Sequence, residues 1–535
     1  MIVLSTVATF FTLVAASCAA PRVEGNCTYT DAGLEWLRSR LSNRSAISCL
    51  GQPLQQYNAN RYWGTQFGKN ASVVVFPGTT QDVSYAVQAA NQSPLGEDFA
   101  FVGGAHSQTN ASSAYGFVLD LAWLNSSSVI HDFEFGGNNT VTAIEYEGGA
   151  NWGQVQAVTN GTGFTAVGAR VANVGVGGFS LGGGIGFLAG AYGYASDRLV
   201  QLEVVLPSGE TVIARKNNEY ADLFWALQGG IGQFGIVTRF WQEAAPEPKK
   251  SSLGFYYIND EDVPRLRNQT VDFFNNNEDP FSVIYYSFGF LPANLANPTP
   301  ESYAKRTLLI TVHFEDPNNA DQLDNELSFA TLFDGVDTTN GQVITTEYYS
   351  DLAFVGEAAY PYGFRRGFYG PQTTKIDVDY ITNVTDSFYA YIDELQNRGE
   401  DPQSASFIIQ YMFPGCNGHL PKSNFDTAWP HAVSGHQTLF TPAYLQASND
   451  GLTLSALAAA NQITYDKQQE LGEFLGDYPN YLCPVDNSGR RVWGENMEKL
   501  IEVKQKYDPE CLIRNGPVLA SQGCLSGGWG NMFDH

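Results

Sequence analysis

Two glycine-rich stretches constrain the fold of this chain more than any other part of its sequence. The first, at 101–107, reads FVGGAHS, and the second, at 175–186, reads GVGGFSLGGGIG. Glycine runs allow a positive φ and bring backbone N–H groups close to a phosphate, because no Cβ stands in between. His106 lies among small residues in the first stretch, so we expect its imidazole to face whatever the two turns hold. The pattern predicts one ligand site built from both turns.

Length and charge limit the classes of protein to which this chain can belong. With 535 residues, the chain is expected to form two or three domains. Hydrophobic residues make up 43% and charged residues 16%, which is typical of a globular protein. The formal net charge of -26 argues against a nucleic-acid partner, because a phosphate backbone would be repelled. The acidity otherwise favours solubility.

The N-terminus and the sequons predict secretion. Residues 1–20 form an apolar run that carries no acidic or basic side chain and ends in ASCAA, which is typical of a signal peptide cleaved near Ala19 or Ala20. A membrane anchor is the alternative, but the run is short for one. Sequons for N-glycosylation, which imply surface loops in a secreted chain, occur at Asn26, Asn43, Asn70, Asn91, Asn110, Asn125, Asn138, Asn160, Asn268 and Asn383.

Six cysteines remain once Cys18 leaves with the signal peptide, so up to three disulfides are expected. Cys27 and Cys49 form the favoured pair because they are close in sequence. The other four, which allow three pairings, are Cys416, Cys483, Cys511 and Cys524. None belongs to a Cys-x-x-Cys arrangement, so no metal site is expected.

The first half of the chain alternates short strands and helices. A helix at 31–41, a strand at 72–76, a helix at 82–91 and a strand at 99–102 precede the first glycine turn. This order places His106 at the end of a strand, where ligand sites of α/β units collect. A strand at 140–146, a helix at 154–158, a hairpin at 199–214, a helix at 220–228 and a strand at 235–241 follow. Residues 246–250 mark a boundary.

Beyond that boundary the pattern changes to aromatic strands. They lie at 253–257, 283–288, 308–314 and 407–413, and helices are expected near 385–397 and 454–475. This pattern predicts an antiparallel sheet backed by helices, a second domain. Alternation along the strands predicts substrate-pocket residues at Tyr286, His313, Gln410 and Tyr411.

Two short matches to the nicotinamide-binding fingerprint do not have the required context. The G-x-G-x-x-G pattern occurs at 230–235, and its alanine variant at 184–189. The fingerprint needs a strand before the glycines and a helix after them. At 230–235 that order is reversed, and at 184–189 the preceding residues are more glycine loop. We therefore exclude a Rossmann-type nucleotide site.

Four motifs in order nevertheless resemble one family. The two glycine stretches, together with DLFWALQGG at 222–230 leading to FGIVT at 234–238, resemble the vanillyl-alcohol-oxidase (PCMH-type) FAD enzymes. WGENMEKL at 493–500, closing with KYDP at 506–509, is similar to the tail of the berberine-bridge-enzyme-like branch. The resemblance covers 60–245 and 475–517. The middle domain shares with the family only the general pattern of its strands and helices.

The resemblance implies an α+β fold, with a two-subdomain PCMH-type FAD-binding domain and an antiparallel-sheet substrate domain backed by helices. The implied boundaries are a signal peptide at 1–20, an N-terminal segment at 21–65, the FAD-binding domain at 66–246, the substrate domain at 247–475 and a C-terminal segment at 476–535 that returns to the FAD domain. The residues it implies in FAD binding are Gly103, Gly104, His106, Ser107, Val174, Gly175, Gly177, Gly178, Gly182, Gly183, Ile236, Val237 and Asn496.

His106 matches the histidine that the family attaches covalently to the flavin, although Val102 and Ala105 depart from its usual arginine and glycine. Many relatives add a link from a cysteine before the second glycine run. Val171 occupies that place here, so the resemblance implies attachment through His106 alone. Val174 matches a position where valine leaves a path for dioxygen, which favours an oxidase over a dehydrogenase.

The catalytic base implied by the resemblance is Tyr481, supported by Tyr478 and Asn480, because YPNY at 478–481 resembles the family's Tyr-x-Asn-Tyr segment. A free phenol has a pKa of about 10, so such a base needs help from a neighbour. The alternative is that Tyr481, one of 28 tyrosines, only packs.

These features predict a secreted FAD oxidase that takes a hydride from an alcohol-type substrate and reduces O₂ to H₂O₂. The substrate is a small molecule, either a carbohydrate or a secondary metabolite. The alternatives are a dehydrogenase or oxidative cyclase of secondary metabolism, and a secreted flavin-binding glycoprotein without turnover.

Overall fold

The N-terminal part of the chain folds as a four-stranded sheet with helices against it. In this computed structural model, the described residues are 27, 29, 31–107, 109–137, 139–294, 298–317, 329–354, 361–482 and 489–514. The strands are β1 (Ala46–Cys49), β2 (Val73–Phe76), β3 (Phe99–Val102) and β4 (Phe117–Asp120), in the spatial order β1-β2-β4-β3. The helices are α1 (Ala32–Arg40), α2 (Pro53–Asn60) and α3 (Thr80–Gln92). Strands β2, β3 and β4 are parallel, so the carboxyl end of β3 delivers the first glycine turn to one edge.

A second, five-stranded sheet follows in the order β5-β6-β10-β8-β9, and all its pairs are antiparallel. Its strands are β5 (Ser127–Glu134), β6 (Thr140–Glu147), β8 (Leu199–Val205), β9 (Thr211–Ala214) and β10 (Ile236–Glu243). A short pair forms from β7 (Phe164–Thr165) and β11 (Ala245–Pro246). The helices are α4 (Trp152–Thr159), α5 (Val176–Leu181), α6 (Ala189–Tyr192) and α7 (Ala221–Leu227). Helix α5 begins inside the second glycine stretch.

The remaining strands build a seven-stranded antiparallel sheet in the order β15-β12-β14-β13-β18-β19-β17. They are β12 (Ser251–Ile258), β13 (Ser282–Leu291), β14 (Ala304–Phe314), β15 (Gln342–Thr346), β17 (Gln372–Thr373), β18 (Ser406–Gln410) and β19 (His436–Thr441), and β16 (Arg365–Arg366) pairs with β20 (Ala443–Tyr444). Helices α8 (Val263–Asn276), α9 (Ala330–Phe333), α10 (Val378–Asn397) and α11 (Asp450–Leu471) belong to this part. The predicted α+β fold, with an antiparallel sheet backed by helices, is confirmed.

The two faces of this sheet pack against different partners. Tyr286, Phe288 and Ile409 join a core with α8, α10 and α11. The alternate residues Tyr285 and Ile408 face the N-terminal half of the chain and pack with its glycine-rich loops. The sheet therefore separates a helical core on one side from a cavity on the other.

The described part of the C-terminal segment packs against the N-terminal half. Its helices are α12 (Arg490–Trp493) and α13 (Met497–Tyr507). Lys506 in α13 forms an ion pair with Asp222 of α7 at 2.6 Å, and the Tyr507 hydroxyl donates to the same carboxylate at 2.7 Å. Leu500 and Val503 are buried in the core that α7 also joins.

The predicted Cys27–Cys49 disulfide is confirmed. Cys511 is disulfide-bonded as well, whereas Cys416 is a buried free thiol. Cys416 therefore takes part in none of the expected disulfides. The predicted signal peptide, Asn26, Asn138, Cys483 and Cys524 lie outside the described residues. Within the described ranges, no helix has the length and apolarity needed to cross a membrane.

His436 on β19 gives a testable pH dependence of stability. Complete burial lowers the pKa of this histidine to about 3, and its Nδ1 accepts the backbone N–H of Met412 at 3.2 Å. An unfolded histidine titrates near pH 6.5, so between about pH 6.5 and 3 the unfolded state binds more protons and stability falls as the pH falls. We expect a loss of about 2 kcal/mol between pH 7 and 5 from this group. Urea denaturation of wild type and His436→Gln at both pH values measures it, and an equal pH dependence in both proteins would contradict it.

Candidate active site

The two glycine stretches meet backbone to backbone. A Cβ added to Gly104 would lie 2.3 Å from the Cα of Gly175, and one added to Gly175 would lie 2.4 Å from the Cα of Gly104. Only glycine therefore allows this approach. The contact explains why one chain carries both stretches, because together they form one wall of a cavity.

A buried ion pair holds the first turn in place. Arg61 Nη2 donates to the Gly103 carbonyl oxygen at 2.5 Å and to Asp120 Oδ1 at 2.7 Å. Asp120 lies at the end of β4 and is fully buried, and its second oxygen accepts Asn58 Nδ2 at 2.8 Å. Because both charged groups are paired and hydrogen-bonded, the arrangement fixes the turn without leaving an unpaired buried charge.

Substitutions in the two turns test this contact. We expect Gly104→Ala to lower the free energy of unfolding by about 3 kcal/mol, because the new Cβ meets backbone that has no room to move. Gly451→Ala is the matched control, since its Cβ would also meet no atom within 4 Å and it lies in helix α11, away from the cavity. Chemical denaturation compares the two. Equal losses in both variants would show that the contact between the turns is not what matters.

His106 follows the first turn and is held by aromatic rings. Its imidazole stacks on Trp63 at a centroid distance of 5.7 Å and an interplanar angle of 13°. Trp63 in turn stacks on Phe368 at 4.7 Å. His106 Nε2 lies 3.3 Å from the Tyr362 hydroxyl. Burial, and next the positive charge of Arg61, lower the pKa of His106 to about 4, so the ring is neutral at pH 7.

The cavity wall fits FAD. Helix α5 has Gly175 at its N-cap and no side-chain cap, and Gly177 and Gly178 of its first turn line the cavity. Uncapped N–H groups at a helix start favour the phosphates of a dinucleotide. The wall also carries Gly103, Gly104, His106, Ser107, Val171, Val174 and Val237. Bare glycine backbone that phosphates can approach closely therefore fits a flavin nucleotide.

At the other side of the cavity, a guanidinium links two predicted residues. Arg170 Nη2 donates to the Tyr481 hydroxyl oxygen at 2.6 Å, and its Nη1 donates to Gln410 Oε1 at 2.6 Å. Arg170 and Tyr481 both line the cavity, and the guanidinium also lies 5.4 Å from the Tyr285 ring centroid. A charge-assisted hydrogen bond of this kind stabilises negative charge on the phenol oxygen. The arrangement can hold and accept a proton at Tyr481.

Tyr478 and Asn480 anchor the C-terminal segment to the second glycine stretch. The Tyr478 hydroxyl oxygen accepts backbone N–H groups of Gly184 at 3.0 Å and Ile185 at 2.9 Å, and Asn480 Nδ2 at 2.9 Å. Burial raises the pKa of Tyr478. Asn480 Nδ2 also donates to the Gly182 carbonyl oxygen at 3.2 Å. Both residues line the cavity, and their contacts give them a supporting role.

Four residues expected to bind FAD do not line the cavity. A Cβ on Gly182 would meet Asn480, and one on Gly183 would meet Trp429 and Tyr478, so these glycines serve close packing. Ile236 is buried in the core of the four-stranded sheet. Asn496 donates its amide to the carbonyl oxygens of residues 424, 427 and 428 and therefore holds a loop.

The predicted pocket residues also need correction. Tyr286, His313 and Tyr411 lie on the helix-covered face of the sheet, where His313 pairs with Asp279 at 3.0 Å. Because these strands are buried on both faces, the alternation of their residues did not indicate which of the two alternating sets faces the cavity. Gln410 alone of the four is on the cavity side, as the partner of Arg170.

Sequence reasoning missed Arg170, Trp63, Tyr362 and Phe368. Arg170 directly precedes Val171, the place where relatives carry a flavin-linked cysteine, and that position could have pointed to it. No local pattern marks the three aromatic residues, because Trp63 and Tyr362 contact His106, and Phe368 contacts Trp63, from distant parts of the chain.

Comparison with known proteins agrees with these observations. The family model described as FAD binding domain matches residues 71–215, and the one described as berberine and berberine like matches 468–516. The FAD-dependent monooxygenase tpcD of Cochliobolus heterostrophus is 31% identical over 89% of this chain and 87% of its own. FUP4 of Fusarium proliferatum, also named an FAD-dependent monooxygenase, is 34% identical over 84% and 85%. The FAD-linked oxidoreductase pgmH of Aspergillus terreus is 38% identical, but the match spans only 35% of this chain and 36% of that protein.

Solved structures show the same fold. Physcomitrella patens BBE-like 1 has a TM-score of 0.71 at 18% identity, covering 91% of this chain and 99% of its own. A glucooligosaccharide oxidase from Acremonium strictum, whose title names a 6-S-cysteinyl, 8α-N1-histidyl FAD, has a TM-score of 0.67 at 19% identity, covering 91% and 98%. The chain therefore belongs to the family of FAD-dependent oxidoreductases that join a PCMH-type FAD-binding domain to a berberine-bridge-enzyme-like C-terminal segment.

Proposed function

We propose that this oxidoreductase is a secreted oxidase that converts an alcohol to a carbonyl compound and reduces O₂ to H₂O₂. The alcohol loses the hydrogen on its carbinol carbon as hydride and its hydroxyl hydrogen as a proton, and O₂ takes up two electrons and two protons. The observation that supports this proposal is that His106 and the Tyr481–Arg170 pair line the same cavity.

We further propose that FAD is attached through His106 alone. Bound FAD would supply the acceptance of the hydride and the transfer of electrons to O₂. His106 is neutral at pH 7, because its pKa is about 4, and so offers a nitrogen lone pair for the bond. Val171 lines the cavity without a thiol, so the cysteinyl link named for the A. strictum enzyme cannot form there. Val174 also lines the cavity, at the position where the family resemblance implies a valine that leaves a path for O₂.

Tyr481 would take the proton from the substrate hydroxyl. The Arg170 guanidinium, 2.6 Å from the phenol oxygen, stabilises the charge that a proton-accepting tyrosine carries. Gln410 fixes the guanidinium from its other side. Tyr478 and Asn480 keep the segment that carries Tyr481 against the second glycine stretch.

An anaerobic experiment tests the oxidase assignment. Substrate should bleach the flavin of the purified protein, and air should restore the colour with one H₂O₂ for each carbonyl formed. The names of tpcD and FUP4 favour a monooxygenase as the second candidate. Labelled O₂ separates the two, since a monooxygenase places one oxygen atom in the product. Reoxidation without H₂O₂ would contradict the oxidase.

Secretion and glycosylation can be tested together on protein from culture fluid, whose N-terminus should follow Ala19 or Ala20. We expect no glycan on Asn160, because its amide donates to Ser350 Oγ at 2.6 Å, or on Asn91, whose amide donates to the Pro207 carbonyl at 2.8 Å. Peptide mass mapping should find glycans at Asn70 and Asn383, which are exposed. Full occupancy of Asn160 would contradict this.

A further inference from the structure

The sheet face opposite the glycine turns is built from hydrocarbon side chains. Neighbouring strands of the seven-stranded sheet contribute Leu253, Phe255, Leu308, Ile310, Ile408 and Leu439 to the cavity lining. Phe255 and Ile310 are only part-buried, although they lie on adjacent strands inside this sheet. Apolar surface left open in an enclosed cleft is characteristic of a site for an apolar ligand.

The sheet contributes few polar side chains to this face, namely Tyr285, Ser287, Ser404 and Ser406, and the hydroxyls of Ser404 and Ser406 are hydrogen-bonded within the protein. The Ser406 hydroxyl is bonded to Thr441 Oγ1 at 2.6 Å, and the Ser404 hydroxyl lies 3.3 Å from that of Tyr303. A sugar hydroxyl buried against aliphatic carbon without a partner weakens binding by about tenfold or more. An oligosaccharide presents several such hydroxyls, so this face does not suit it.

We infer that the substrate is an apolar, mainly aromatic or hydrocarbon alcohol whose frame lies on this sheet face and whose one reactive hydroxyl meets Tyr481. The inference rests on the proposed function, and it chooses between the two substrate classes that the sequence leaves open. It also separates this chain from the oligosaccharide oxidases among its structural neighbours, which are 18–19% identical and share the fold. The hydrocarbon lining selects the frame of the substrate, and the Tyr481–Arg170 pair selects its oxygen.

The test compares two substrate panels on the purified holoprotein without air. One panel contains 2-naphthylmethanol and cinnamyl alcohol, and the other contains cellobiose, xylobiose and chitobiose. A third arm measures binding of 2-methylnaphthalene, which has no hydroxyl to oxidise, by quenching of protein fluorescence and perturbation of the flavin spectrum. We expect the aromatic alcohols to bleach the flavin at least about a hundredfold more efficiently than any oligosaccharide, and 2-methylnaphthalene to compete with them.

The outcomes separate this inference from the proposed function. Preferential bleaching by an oligosaccharide overturns the substrate class and supports the oxidation of alcohols. Binding of 2-methylnaphthalene with no bleaching by either panel supports the apolar site and contradicts the alcohol oxidase. If the aromatic alcohols do not bleach the flavin and 2-methylnaphthalene does not bind, the inference is overturned.

A matched pair of variants locates the site. Ile310→Val and Ile310→Thr leave side chains of nearly the same shape, which differ in that threonine has a hydroxyl group where valine has a methyl group. We expect Ile310→Thr to bind 2-methylnaphthalene about fivefold to tenfold more weakly than Ile310→Val. Thermal melting of both variants checks that the sheet is intact. Equal affinity in two folded variants would place the ligand elsewhere and overturn the assignment.

Discussion

Tyr481→Phe is expected to lower kcat by about 10²–10⁴-fold while KM changes little. The substitution removes only the hydroxyl oxygen that lies 2.6 Å from Arg170 Nη2, and so removes the group proposed to take the substrate proton. The ring stays in its packing against Tyr478 at a centroid distance of 4.6 Å, so the pocket keeps its shape. Steady-state kinetics and the anaerobic bleaching rate measure the effect.

Tyr478→Phe is the control for this experiment. Its hydroxyl oxygen accepts two backbone N–H groups and the Asn480 amide, so its loss leaves buried donors without a partner. We expect a loss of about 1–3 kcal/mol in the free energy of unfolding and a smaller effect on kcat than in Tyr481→Phe. If Tyr481→Phe kept most of its kcat while Tyr478→Phe lost it, the base would have to be reassigned to Tyr478.

His106→Ala is expected to abolish covalent retention of the flavin. The ring that the substitution removes is neutral at pH 7 and faces the cavity between the two glycine turns, and Val171 cannot replace it as a second link. Flavin fluorescence in a denaturing gel should mark the wild-type chain and be absent from the variant. Acid precipitation should leave all the flavin of the variant in the supernatant. A peptide that contains His106 should carry the added mass in the wild type only.

Tyr362→Phe provides the matched comparison. It removes the hydroxyl that lies 3.3 Å from His106 Nε2 and keeps the histidine itself. We expect attachment to slow and still reach completion, because the nucleophilic ring remains stacked on Trp63. Circular dichroism checks that both variants fold. A yellow band from denatured His106→Ala would show that another residue carries the flavin.

The sequence by itself determined the local secondary structure and the side of the site that the glycine turns and His106 form. FAFV at 99–102 forms a strand because phenylalanine and valine favour the buried positions of a sheet. It leads directly into the glycine turn that carries His106. The order of the motifs around both glycine stretches also indicated the family without any knowledge of tertiary contacts. Such features are visible in sequence because each depends on a few neighbouring residues and their backbone preferences.

Tertiary structure alone decided which side chains meet. Tyr285 and Tyr286 are both buried aromatic residues, and only the helices packed on one face of the sheet direct Tyr286 away from the cavity. Arg170 reaches Gln410 and Tyr481 across 240 and 311 positions of the chain, and Asn496 donates its amide to a loop some seventy residues before it. Local preferences fix backbone conformation, whereas contacts between distant residues depend on how whole sheets and helices pack, which no short stretch of sequence encodes.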